Sequence, residues 1–244
     1  MDQQLLSELN EVRGARKAAI VLKDITAGTS LLIREDGEHN VNVPAGLIED
    51  IQAVFKSGKS RMVNLDGEEY FLNVYLPPTR MVVIGAVHIS QCLASITRDT
   101  GFELEIIDPR TAFATPERFV GVSLSVDWPE TVFAEKPLDP YCALIAVTHD
   151  PKIDDFAIAA ALEAECFYVG ALGSRKTHAK RVARLLEQGI GQEKIDTIHA
   201  PIGLNIGAAN PAEIAVAILA QVIGAFRQRG VTFQGQVMGD GANR

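Results

Sequence analysis

The chain has 244 residues, with 23 Lys+Arg against 31 Asp+Glu for a formal net charge of −8, and its 47% hydrophobic and 22% charged residues are ordinary for a globular protein. That length holds one large domain or a small domain plus a medium one. The acid excess, with no Lys/Arg run anywhere, excludes nucleic acid and anionic membrane surfaces as expected partners. The opening MDQQLLSELNEVRGARK lacks the basic-then-apolar layout of a signal peptide, and the apolar runs are too short and interrupted to cross a bilayer, so a cytoplasmic protein is expected.

Leu5, Leu6, Leu9 and Val12 recur at helical spacing and predict an amphipathic helix reaching about Arg16. Residues 18–22, 30–34 and 39–43 read as short strands, the last two joined by the turn dipeptide Asp36-Gly37. Pro44 opens a helix with Leu47, Ile48, Ile51, Val54 and Phe55 on one face, ending near Gly58. Two further strands, 61–65 and 69–76, flank Asp66-Gly67, which completes a small α+β domain over residues 1–76.

Pro77-Pro78-Thr79 marks the boundary, and residues 77–80 are read as a linker. Beyond it the pattern changes to apolar strands alternating with helices. Strands are predicted at 81–84, 104–107, 144–147 and 167–169. Helices are predicted from Gly85 to about Thr100, from Pro151 to about Ala164, from Ser174 to Leu186, and from Pro211 to Arg227. Such alternation predicts an α/β fold, a doubly wound parallel sheet covered on both faces, over 81–228. Residues 229–244 are Gly-rich and polar and are expected to form a flexible tail.

The chemistry is expected at the carboxyl ends of the strands, where open parallel sheets bind ligands. Gly85 begins a strand-to-helix turn, and Asp108 lies 23 residues further on at the end of the next strand, the place of a ribose-binding acid. Val87 and Ser90 occupy the second and third glycine positions of the dinucleotide fingerprint. The alternative is that Gly85 only makes the turn and Asp108 ends its strand. Thr148-His149-Asp150 follows the third strand of this domain, and Gly170 through Arg175 (GALGSR) follows the fourth. Ser174 can cap the next helix. Arg175 would then stand beside unpaired N–H groups of the first turn, an arrangement suited to a phosphate or carboxylate. Its alternative is a surface arginine after a capped turn.

His149 can act as a general acid or base, and His88, His178 and His199 can join it, or each can be a satisfied loop histidine. No HxH, HxxE or HxxxH pair occurs, so no metal site is expected. Cys92, Cys142 and Cys166 are widely spaced and read as core thiols. The loop containing Gly203 and Gly207 either approaches a ligand or simply connects.

Together, GAVHISQCLA, the Asp108 of ELEIID, ALIAVTHDPKIDDFAI, FYVGALGSRKTHAKR and HAPIGLNIGAANPAEIAVAILAQVI resemble the XdhC/CoxI family of xanthine dehydrogenase accessory proteins over about residues 80–225. The resemblance implies a Rossmann-like domain in a maturation factor that binds the molybdenum cofactor (molybdopterin), protects it during sulfuration and delivers it to a molybdenum hydroxylase apoenzyme. It further implies a homodimer, with a cysteine desulfurase as a second partner. Carried across, it places interest on Gly85, His88, Asp108, His149, Asp150, Gly170, Gly173, Ser174, Arg175, His178 and Gly203. The family's first turn usually reads GAGHVGQ, and its N-terminal domain usually carries cysteine-containing glycine-rich segments. No cysteine precedes Pro77 here, which excludes thiol chemistry in that domain. An alternative function is an NAD(P)-dependent oxidoreductase of a small carbonyl or imine, with His149 or His178 as proton donor.

Overall fold

The computed structural model describes residues 3–37 and 42–231, which divide into two compact units, 3–77 (without 38–41) with 227–231, and 78–226. In the first unit, α1 (Gln3–Gly14) buries Leu5, Leu9 and Val12 against Ala19 and Val21 of β1 (Ala19–Asp24) and Leu32 of β2 (Ser30–Arg34). The alternate residues Ile20, Leu22 and Ile33 are equally buried, so the sheet is covered on both faces. The second cover is α2 (Ile48–Ser57), which packs on β1 and on β4 (Glu68–Tyr75) through a face of Ile51, Val54 and Phe55. With β3 (Arg61–Leu65) the antiparallel order is β2-β1-β4-β3.

The strands expected at 18–22 and 30–34 are β1 and β2, and they form a hairpin. β2 pairs with β1, register Ile20 to Ile33, and the turn between them is closed by Asp24, whose carboxylate accepts from Ala27 N at 2.7 Å. The expected strand 39–43 falls largely on residues 38–41, which lie outside the described residues.

The second unit is a five-stranded parallel sheet in the order β7-β6-β5-β8-β9. Its strands are β5 (Arg80–Ile84), β6 (Glu103–Ile107), β7 (Ser123–Ser125), β8 (Cys142–Ala146) and β9 (Tyr168–Ala171). Alternation along β5 and β8 sends Met81, Val83, Ala143 and Ile145 to one face, beneath α3 (His88–Thr97) and α8 (Pro211–Gln228). Val82, Ile84, Leu144 and Ala146 face the other way, under α4 (Pro129–Glu135), α5 (Pro151–Glu163), α6 (Arg175–Glu187) and α7 (Gln192–Ile195). This is the doubly wound parallel sheet that the strand-helix alternation predicts.

Three details depart from the sequence reading. Arg80, placed in the linker, opens β5 at 1% exposure, because its guanidinium pairs with Glu105 at 3.1 Å and donates to Pro137 O at 2.8 Å. β7 and α4 lie in a stretch where periodicity predicts no element; β7 has three residues on a half-exposed edge, too few for a pattern to show. Arg229, expected in the tail, donates to the Phe55 carbonyl at 3.0 Å, while 232–244 lie outside the described residues. No helix among the described residues is long and apolar enough to cross a membrane.

Candidate functional site

The strand order reverses between β5 and β8, and a crevice opens at the carboxyl ends of strands at such a switch point. Two loops meet there. Gly85 adopts φ +120°, and a Cβ built on it would lie 2.9 Å from Thr148 Cγ2 and 3.3 Å from Thr148 N. Glycine is therefore required both by the backbone and by the approach of the β8 loop.

Asp108 braces this turn from the end of β6. It is 0% exposed. Its Oδ2 accepts from Ala86 N at 2.7 Å and Arg110 Nη2 at 2.8 Å, and its Oδ1 accepts from Arg110 N and Nε, both at 2.9 Å. Burial alone would raise the carboxyl pKa, but the hydrogen bonds from Arg110 and Ala86 outweigh it and hold it below the ordinary value. With two donors on each oxygen, the carboxylate has no acceptor capacity left for ribose hydroxyls. Arg118 adds a second brace, donating to the Ala86 carbonyl at 3.0 Å and to Gln91 Oε1 at 3.1 Å. Ser90, in the third glycine position, is buried and donates to the Gly85 carbonyl. The α3 N-cap is Val87, which supplies no side-chain cap, and His88 is exposed at the first helical position.

The β8 loop carries Thr148, His149 and Asp150. His149 is exposed and held at φ +64°, a left-handed conformation that histidine adopts more readily than most residues but still seldom. Asp150 caps α5, accepting from Lys152 N at 3.0 Å, and its own N–H donates to Thr148 Oγ1 at 2.9 Å. Thr148 in turn donates to the buried Asp154 at 2.7 Å. The Arg110 guanidinium, stacked over Phe113 at 4.5 Å, lies in the field of Asp150 and Asp154.

From β9 the chain passes Gly173 to Ser174, whose Oγ accepts from Thr177 N at 3.2 Å and caps α6. Arg175 is the first residue of that helix, exposed, and unpaired with any carboxylate among the described residues. Gly170 lies within β9, where a Cβ would strike Tyr168 Oη and Ile202. His199 pairs alongside Gly170 in parallel and stacks on Tyr168 at 4.7 Å, so the loop after it leaves the sheet at the same end. Gly203 seats that loop on α8, its N–H donating to Gln221 Oε1 at 2.8 Å.

Sequence reasoning misses the charged layer under the crevice. Asp154 and Asp155 of α5 face Arg181 and Arg184 of α6. Arg184 donates to both oxygens of Asp155, and Arg181 Nε stands 3.9 Å from Asp155 Oδ1. Arg181 is 2% exposed; its Nη2 reaches Leu172 O at 3.3 Å, while Nε and Nη1, like the nearby His178 Nδ1, have no hydrogen-bond partner among the described residues. The signal is present in adjacent acids on an otherwise apolar helix, IDDFAIAAALEA, answered by RVAR one helix later. Arg181 is thus a buried guanidinium with spare donors, held beside Asp155 and the β9 loop, while Arg175 stands exposed at the head of α6, where first-turn N–H groups and a guanidinium suit an oxyanion. Among the described residues no three His, Cys, Asp or Glu side chains gather as metal ligands.

Burial and Arg181 lower the His178 pKa, and burial lowers that of His199. The unfolded chain therefore binds more protons than the folded one just below the ordinary imidazole value of about 6.5. Stability should be fully retained above that value and decline as pH falls through the lowered folded values. Denaturant melts from pH 7.5 to 5 are expected to show this decline, and the double variant His178→Gln/His199→Gln should flatten it; an equal decline in the variant would refute the assignment.

Residues 81–222 match the family described as the XdhC Rossmann domain. The chain is 30% identical over 212 residues to a Bacillus subtilis protein named as a probable xanthine dehydrogenase subunit, covering 85% of this chain and 60% of that protein. It is also 30% identical over 159 residues to the "Molybdenum cofactor insertion chaperone PaoD" of Escherichia coli, covering 65% of this chain and 43% of the relative. It thus spans about half the length of the curated relatives it matches. A crystal structure described as a xanthine dehydrogenase from Bacillus halodurans superposes with TM-score 0.60 at 24% identity over 93% of this chain and 66% of that one, a likeness of fold.

Proposed function

Since the chain belongs to the XdhC family, we propose that it is a maturation factor for a xanthine dehydrogenase-type molybdenum hydroxylase, binding the molybdenum cofactor as cargo and releasing it to the apoenzyme. The relative named as a molybdenum cofactor insertion chaperone supports an accessory role rather than turnover of a metabolite. The observation that carries the reading is Arg175, a guanidinium with no carboxylate partner among the described residues, at the capped N-terminus of α6 and the carboxyl end of the parallel sheet. Molybdopterin carries a phosphate. Backbone donors of the first helical turn and a guanidinium fork are the groups that hold one. Arg175 and the Ser174 turn would hold it.

The oxidoreductase alternative is not favoured. Asp108 is buried with all its acceptor sites occupied, and Val87 replaces the glycine that admits a pyrophosphate, with Ser90 in place of the helix-packing one.

Arg175→Ala is expected to weaken retention of released molybdenum cofactor about tenfold, the size of one charge-assisted hydrogen bond, with Arg175→Lys in between. Because the side chain is exposed, the melting temperature without ligand should stay put. Unchanged retention would overturn the phosphate assignment. A thermal shift produced by NAD or NADP, with none from the molybdenum cofactor, would overturn the function.

A further inference from the structure

Away from the crevice, at the amino ends of the strands, two of the three cysteines come together. β8 and β9 are adjacent parallel strands in the register Ala143 to Tyr168, so Cys142 stands beside residue 167 and one step from Cys166. Both thiols turn to the same face. Cys142 alternates with Ala143 and shares the side of Leu144, and Cys166 packs against the cluster that contains Leu144. The Cys142 thiol donates to Asp139 Oδ1 at 3.3 Å. Arg80 is the register partner of Cys142 on β5. Cys142 is fully buried, whereas Cys166 is partly open.

We propose that Cys142 and Cys166 are an oxidisable dithiol, which a small peroxide converts reversibly to an intrachain disulfide. Cys142 is fully buried and donates its S–H to Asp139, so the partly open Cys166 is the thiol that a small peroxide reaches. Its sulfur attacks one peroxide oxygen, the O–O bond breaks, and the departing hydroxide takes the thiol proton to become water, leaving a sulfenic acid on Cys166. The Cys142 sulfur then attacks the sulfenic sulfur. Hydroxide leaves with the Cys142 proton as a second water, and the S–S bond is formed. The two sulfurs together lose two electrons, which the peroxide gains, and a thiol reductant returns both thiols by exchange. The bond would tie the amino ends of β8 and β9, the end opposite the crevice, so the reaction does not depend on the cofactor reading.

The test is peptide mapping of the whole native chain after stoichiometric hydrogen peroxide, without reductant. A Cys142–Cys166 linked peptide is expected, with free thiols in denaturant falling from three to one and dithiothreitol restoring three. In Cys142→Ser, a sulfenic acid on Cys166 should be trapped by dimedone. A linked peptide that contains Cys92, no linked peptide in the native chain, or a sulfenic acid formed first on Cys142 would each overturn the proposal. The mapping of the unsubstituted chain decides even where a serine variant does not fold.

Discussion

Asp108→Ala is expected to remove about 3 kcal/mol of stability from the parallel-sheet unit, since it strips four hydrogen bonds at once and leaves Ala86 N and the Arg110 guanidinium without their acceptor. For a unit of this size that corresponds to roughly 6 to 12 °C in Tm, readable by calorimetry or circular dichroism. The pH dependence has a definite sign. The folded pKa of Asp108 is lowered, so its contribution is complete above the ordinary carboxyl value of about 3.9 and is lost as pH falls through the folded value. The gap between wild type and variant should therefore close in acid. A variant that melts with the wild type at neutral pH would show that the brace contributes nothing, and would return Asp108 to the role of a ligand-facing acid.

Gly85→Ala should be comparably severe, about 3 kcal/mol, because two costs combine. The φ of +120° is outside the region open to alanine, and the new methyl would press on Thr148 Cγ2 at 2.9 Å and on the Thr148 backbone N at 3.3 Å. Gly207→Ala separates them. That residue has φ +73° with nothing within 4 Å of its would-be Cβ, so only a backbone cost of about 1 kcal/mol is expected. Thr148→Ser removes the crowded methyl and keeps the hydroxyl that donates to Asp154. The double variant Gly85→Ala/Thr148→Ser should recover part of the loss in a thermodynamic cycle. Strict additivity of the two substitutions would show that the β5 and β8 loops do not press on one another.

Legibility follows the range of the interaction. The longer strands of the parallel sheet can be read because burial on both faces leaves continuous apolar runs, and α5, α6 and α8 because caps and prolines announce their starts: Asp150-Pro151, Ser174 and Pro211. The Ser174 cap and the position of Arg175 at the head of α6 follow from a handful of neighbouring residues, and the structure has them there. The first hairpin escapes a reading by turn dipeptides because its turn, residues 25–29, depends on the Asp24 side chain. Arg80 reads as linker because an arginine next to two prolines signals a surface, and its partner Glu105 stands 25 residues away.

The sequence by itself determined the two-part organisation, the doubly wound sheet and the family, since these rest on periodicity, punctuation and local motifs that neighbouring residues carry. The tertiary structure decided what the individual polar groups do. It committed Asp108 to the Gly85 turn, set the buried Asp154, Asp155 and Arg181 beside the half-buried Arg184, left Arg175 without a carboxylate partner among the described residues and brought Cys142 beside Cys166. The physical reason is that the environment of a charge or a thiol is set by groups far away in the chain: a carboxylate is a ligand or a brace according to which donors the fold puts around it.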